Sequence, residues 1–316
     1  MTSPSTIAVL HHIATTPAPT TIKDLINDTG YSEKQLHRAV NSLTTTGDIT
    51  EKRGVNNRKE LHPGNGQLMT AYNRLIANVD HVHWGDLFTP TLLRVAWNLD
   101  TPTKIRTIAD RLNVTPQAVY SALDPLAGRA MLNPAGPEYA LADNLSPLHA
   151  VADAAAWHTH RIRVDNLASP AVINWYDPIH CLVRPQTPDE TTKFDDADNW
   201  HVTGVTAFID YDLQFFTPHE PLVWYSDHGP PTPEEIACHA LLSDLGPRHV
   251  SYAMLLIETL DLDHDVMKQH AARYDLEPVM NSMLTALTQD DWTSNGKLPG
   301  PREYEQLKHQ YEVTNA

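Results

Sequence analysis

The chain has 316 residues, 41% hydrophobic and 20% charged, with 23 Lys/Arg against 39 Asp/Glu and a formal net charge of −16. That length supports two or three domains with their own cores, and the two cysteines, Cys181 and Cys238, exclude a disulfide framework or a cysteine zinc site. No run reaches the roughly 18 apolar residues of a membrane-spanning helix, and the start MTSPSTIAVLHHIATT lacks the features of a secretory signal, so a cytoplasmic location away from membranes is expected.

The charge is unevenly spread. Residues 1–63 carry seven Lys/Arg against six Asp/Glu, and residues 64–144 carry six against seven. Residues 145–316 carry ten against twenty-six, a net of −16 that accounts for the whole imbalance. Phosphate repels the C-terminal half, whereas the N-terminal part is free of that restriction.

In chain order, residues 1–63 predict three helices and a hairpin. TIAVLHHIATT sets Ile7, Leu10 and Ile13 on one stripe, and TIKDLINDTG is a short helix stopped near Gly30. Ser32 then caps EKQLHRAVNSLTTTG, where Leu36, Val40 and Leu43 share a face and Gly47 closes the end. DITEKR and RKELHP follow as short strands around the turn GVNN. Three helices and a two-stranded hairpin make the winged helix-turn-helix plan.

Residues 64–90 form a linker with one helix, and residues 91–144 repeat the plan. There Thr115 caps a third helix that Pro125 is expected to break or shorten, and a hairpin turns around Pro134–Pro137. From 145 to 316 the pattern is mixed: a helix, strands at AVINWY, HCLVRP and PLVWYS, an exposed acidic loop PQTPDETTKFDDADN, then helices to the end. The expected class is α+β: two N-terminal winged helix-turn-helix domains, then a mixed α/β C-terminal domain with a helical end.

The third helix places Lys34, Gln35, His37, Arg38 and Asn41 opposite its apolar face. Arg and Lys pair with guanine edges, Gln and Asn with adenine edges, so this is a major-groove inventory. Lys52, Arg53, Arg58 and Lys59 cluster on the hairpin with Asn57 in its turn, where cations meet phosphates. The second third helix exposes Gln117, Tyr120, Ser121 and Asp124, and its hairpin NPAGPE is neutral to acidic, which suits a spacer or a dimer contact rather than DNA.

The chain has 18 histidines, but His158-x-His160 on a helix point to different faces, and no zinc signature occurs. Nucleophile-elbow, phosphate-loop and dinucleotide fingerprints are also absent, so neither catalysis, nor a metal, nor a cofactor is expected.

HVTGVTAFIDYDL (201–213) and PPTPEEIACHALL (230–242) resemble two segments of AbiEi-type antitoxins and related regulators. The paired winged helices, mixed domain and closing EYEQLKHQYEV helix also resemble regulators of halophilic archaea, whose acidic surfaces fit the charge. That resemblance implies a winged-helix repressor of its own operon in a type IV toxin–antitoxin system. Together the readings predict a sequence-specific regulator of double-stranded DNA, a homodimer on a palindromic site, with a toxin as a possible protein partner. The alternative is a protein-interaction adaptor whose acidic C-terminal domain holds a basic partner.

Overall fold

The computed structural model describes residues 2–17, 19–215, 221–292 and 297–311, apart from the side chain of residue 56. The chain is α+β and divides into two compact units, Met1–Arg163 with Asp177–Ile179, and Val164–Tyr176 with His180–Ala316.

In the first unit, α1 (Pro4–Thr15) starts at Ser3, whose hydroxyl accepts from the Thr6 N–H. Next, α2 (Ile22–Thr29) opens on a Thr21–Asp24 capping box and stops at Gly30, whose φ of 70° is a left-handed conformation that only glycine adopts freely. Then α3 (Glu33–Thr45) opens on a second box between Ser32 and Gln35. Its Leu36, Ala39, Val40 and Leu43 are buried, the 3–4 residue spacing that puts one stripe against α1 and α2.

The hairpin follows as β1 (Ile49–Arg53) and β2 (Lys59–Pro63), antiparallel from Ile49↔Pro63 to Arg53↔Lys59, with a 3-10 turn at Val55–Asn57. Thr20 bridges to Leu61 and anchors β2 beside the start of α2. The element order is the expected one.

Asp48 fixes the root of this hairpin. It is 1% exposed and accepts from Thr46 Oγ1 at 2.5 Å and from the Met69 N–H at 2.9 Å, with His158 Nδ1 at 3.4 Å. The Met69 amide lies in the first turn of α4 (Gln67–Asn78), whose own N-cap, Gly66, has no side chain to offer. Asp48 therefore caps α4 from a distance and satisfies an amide that the helix leaves open.

After a short α5 (Trp84–Leu87), the second module runs α6 (Pro90–Trp97), β3 (Thr103–Lys104), α7 (Ile105–Leu112), α8 (Pro116–Ala127), β4 (Leu132–Ala135) and β5 (Glu138–Leu141), with sheet order β3-β5-β4. Pro125 does not break α8 as expected. Its missing N–H falls in the last turn, where the cost is one hydrogen bond, and Gly128 N–H still reaches the Asp124 carbonyl at 3.0 Å.

Helix α9 (Ser146–Asp165) does not open the acidic domain at 145, as its sequence suggests. Instead Leu145, Leu148, Val151 and Ala155 complete one apolar core that begins at Ile7, so the first unit extends to Arg163. His158 and His160 point to different partners, as their spacing requires: His158 to Thr46 and Asp48, His160 Nε2 to the Asp177 carbonyl at 2.9 Å. Burial pushes the His160 pKa down to about 3, with the Arg163 charge adding to the effect. Both are core histidines.

In the second unit an antiparallel sheet of order β6-β7-β9-β8 comprises β6 (Val172–Tyr176), β7 (Cys181–Arg184), β8 (Trp200–Thr203) and β9 (Leu222–Tyr225). The segment expected as an acidic loop contains a helix, α10 (Pro188–Asp195), between β7 and β8. Thr187 caps it, Pro188 takes the first position, and Phe194 is buried against Trp200, a Thr-Pro-x-Glu start whose apolar anchor outweighs its charge.

Helices α11 (Pro233–Ser243), α12 (Pro247–Leu260), α13 (His264–Arg273), α14 (Glu277–Gln289) and α15 (Pro301–Gln310) complete the unit. Lys308 on α15, 6% exposed, is neutralised by Glu258 at 3.0 Å, and Tyr304 donates to the same carboxylate at 2.5 Å. The closing helix is held by this ion pair; residues 312–313 of its expected span lie outside the described residues. No described helix is long and apolar enough to cross a membrane.

Candidate nucleic-acid interface

All five predicted residues of α3 are exposed. Lys34, Arg38 and Asn41 fall at i, i+4 and i+7 and form one row along the helix. Two others are partly engaged. His37 Nε2 lies 3.5 Å from Glu33 one turn back. The Gln35 carbonyl oxygen accepts from Ser32 N–H at 3.1 Å and Ser32 Oγ at 2.7 Å, so it serves the capping box first. For base reading, Gln35 is therefore weaker than its residue type suggests.

Lys52, Arg53, Asn57, Arg58 and Lys59 are exposed as well. Strand alternation sorts the wing's charges. Arg53 and Lys59 face each other on the side that carries buried Ile49 and Leu61, while Lys52 and Glu60 form the opposite pair on the other side. Two like charges in direct register repel, and both are relieved locally. Arg53 donates to Asn57 Oδ1 at 2.8 Å, and Lys59 sits 2.5 Å from Glu51. Asn57 can accept because it takes a φ of 60°, a left-handed turn position that asparagine tolerates.

Lys52 and Arg58 make no hydrogen bond or ion pair among the described residues. Across residues 51–60 four cations oppose Glu51 and Glu60, so the wing is locally positive. At its tip Val55 is 82% exposed, an apolar side chain between cations that composition alone did not single out.

The second module differs in chemistry as expected. Gln117, Tyr120, Ser121 and Asp124 are exposed on α8 without a cation among them. Tyr120 is 44% exposed and meets Tyr139 of the β5 hairpin edge to face. A surface with no cation and one carboxylate lacks the means to neutralise phosphate.

The second unit holds a polar cluster that spacing could not reveal, because its members come from six segments. Arg273 pairs with Glu235 at 3.0 Å and reaches His180 Nδ1 at 2.6 Å. The rings of Trp175, Trp224 and Tyr274 surround its guanidinium at 5.4–5.7 Å. His239 is fully buried between Thr203 and Tyr274 hydroxyls, and burial first, then the Arg273 charge, hold its pKa well below the usual range. Burial likewise pushes the Cys238 thiol up, away from the thiolate a nucleophile needs. The cluster is a satisfied ion pair inside an aromatic cage. Among the described residues, no three His, Cys, Asp or Glu side chains could hold a metal ion.

A family model described as HVO_2833_C, C-terminal, matches residues 197–313, a stretch inside the second unit. No curated protein matches the chain. The match leaves the α3 and wing surface outside its span.

Proposed function

We propose that the protein is a sequence-specific regulator that binds double-stranded DNA through α3 and the wing, and that it represses its own promoter. What supports this reading is the coincidence of two independent cationic surfaces on one small module. A row of Lys34, Arg38 and Asn41 projects from α3, and a positive hairpin stands beside it in a chain of net charge −16.

In this reading α3 lies in the major groove, and the wing neutralises phosphate or enters the minor groove. Two copies, related by a two-fold axis, would read a palindromic site, and the place of action would be the cytoplasm. The acidic C-terminal half, with ten Lys/Arg against twenty-six Asp/Glu in residues 145–316, is kept off the phosphate backbone. That same acidity favours a second reading, an adaptor or antitoxin that holds a basic protein partner.

The experiment is binding of the full chain to a duplex from its own promoter and to a random duplex of equal length. Asn41→Ala is expected to lower promoter affinity by about tenfold and to relax discrimination at one base pair, leaving random-duplex affinity unchanged. Equal, undetectable affinity for both duplexes, with a basic protein copurifying, would transfer the proposal to the adaptor.

A further inference from the structure

An open hollow lies between the start of α1 and the start of α3, lined by Ser3, Pro4, Ser5, Tyr31, Gln35 and Arg38. Its polar lining is of one kind. The Gln35 amide is oriented by its box: Ser32 N–H can only donate, so the oxygen of Gln35 must face it, and the NH2 end is left for other partners. Arg38 has donors and no acceptor. Tyr31 is half-buried and its hydroxyl makes no hydrogen bond among the described residues. Ser5 is buried and its hydroxyl meets that of Ser3 at 2.8 Å. Among the described residues, no carboxylate lines the hollow.

A guanidinium, an amide NH2, a phenol and a serine hydroxyl around one space match an anion with several acceptor oxygens. Arg38 belongs both to this hollow and to the exposed row on α3, so the anion would sit at the edge of the surface that faces DNA.

We propose that this hollow binds one phosphodiester of the DNA backbone next to the bases that α3 reads. The inference rests on the DNA-binding reading and deepens it. It moves Gln35 and Arg38 from base reading to phosphate holding, and adds Tyr31 as a contact that residue-type arguments about α3 do not reach. Lys34 and Asn41 are then left to carry sequence preference. A phosphate seated there fixes the depth and register of α3 in the groove, because backbone contacts position while base contacts specify.

Tyr31→Phe removes one hydroxyl and keeps the ring that packs on the core, and Arg38→Ala removes the charge. Affinities of wild type and both variants are measured in a salt series on the promoter duplex and on a random duplex, with thermal unfolding as the check on folding. Arg38→Ala is expected to weaken both duplexes by the same factor, about tenfold, and to lower the salt slope by about one. Tyr31→Phe should weaken both duplexes severalfold by a common factor with the slope unchanged, since no charge is lost. Inorganic phosphate titrated at constant ionic strength should compete with DNA for the wild type more effectively than for Arg38→Ala.

Loss of affinity on the promoter alone would make Arg38 a base reader and overturn the site. So would two folded variants that bind as wild type does. A wild type that binds neither duplex would overturn the DNA-binding reading, and this site with it.

Discussion

Asp48→Ala is expected to destabilise the N-terminal unit by about 3 kcal/mol, the cost of breaking a buried, hydrogen-bonded charge and leaving its partners unpaired. Three groups lose an acceptor at once: Thr46 Oγ1, the Met69 N–H and His158. The wing root and the α4 cap depend on the same carboxylate, so both loosen together. Urea unfolding of the full chain and hydrogen exchange in α4 read this effect. A loss under about 1 kcal/mol with unchanged exchange would show that backbone bonds alone hold the root.

The same residue predicts a pH dependence. Burial works to raise the Asp48 pKa, but hydrogen bonds from His158, Thr46 and the Met69 amide outweigh it and hold the carboxyl below its usual range. A carboxyl with a depressed folded pKa adds stability above its unfolded pKa, about 3.9, and that stability drains as pH falls toward the folded value. The gap between wild type and Asp48→Ala should therefore narrow as pH drops below about 4, and stay constant above about 5.

Arg53→Ala combined with Arg58→Ala is expected to weaken binding to every duplex, promoter or random, by about thirtyfold at low salt. The salt slope should fall by about two, one for each phosphate that no longer meets a cation. Neither side chain is buried, so unfolding should be unaffected. Arg53 is held by Asn57 across the turn, and Arg58 stands free of hydrogen bonds among the described residues. Arg58 should thus contribute the larger share if pre-orientation matters less than reach, a point the two single variants decide.

The N-terminal module was legible from sequence because each signal is local. The cap at Ser32, the stops at Gly30 and Gly47, and apolar spacing through Leu36, Val40 and Leu43 are all decided within a few residues, whereas the caps at Ser3 and Thr21 emerge with the structure. Exposure of Lys34, Arg38 and Asn41 followed from the same spacing. The extent of the first unit was not legible, since Leu148 and Ala155 join a core that begins as far back in the chain as Ile7. The α10 helix was hidden by its own acidity, although Thr187-Pro188 marked its start.

Side-chain pairings over long distance left the least trace. His158 looked like a surface or core histidine of the C-terminal half, yet it serves Asp48 at the wing root. Glu235, His180 and Arg273 sit far apart in sequence and meet only because β7, α11 and α13 pack into one unit. The engagement of Gln35 in a cap was readable from the Ser-x-x-Gln spacing, but as a limit on its DNA role it emerges only when the bonds are seen.

The most direct test of the central claim is lysine acetylation of the full chain with and without its promoter duplex, read residue by residue. Lys34, Lys52 and Lys59 should be protected by DNA, while exposed Lys104, Lys193 and Lys268 react equally in both states. Protection confined to lysines outside α3 and the wing, or none at saturating duplex, would contradict the account.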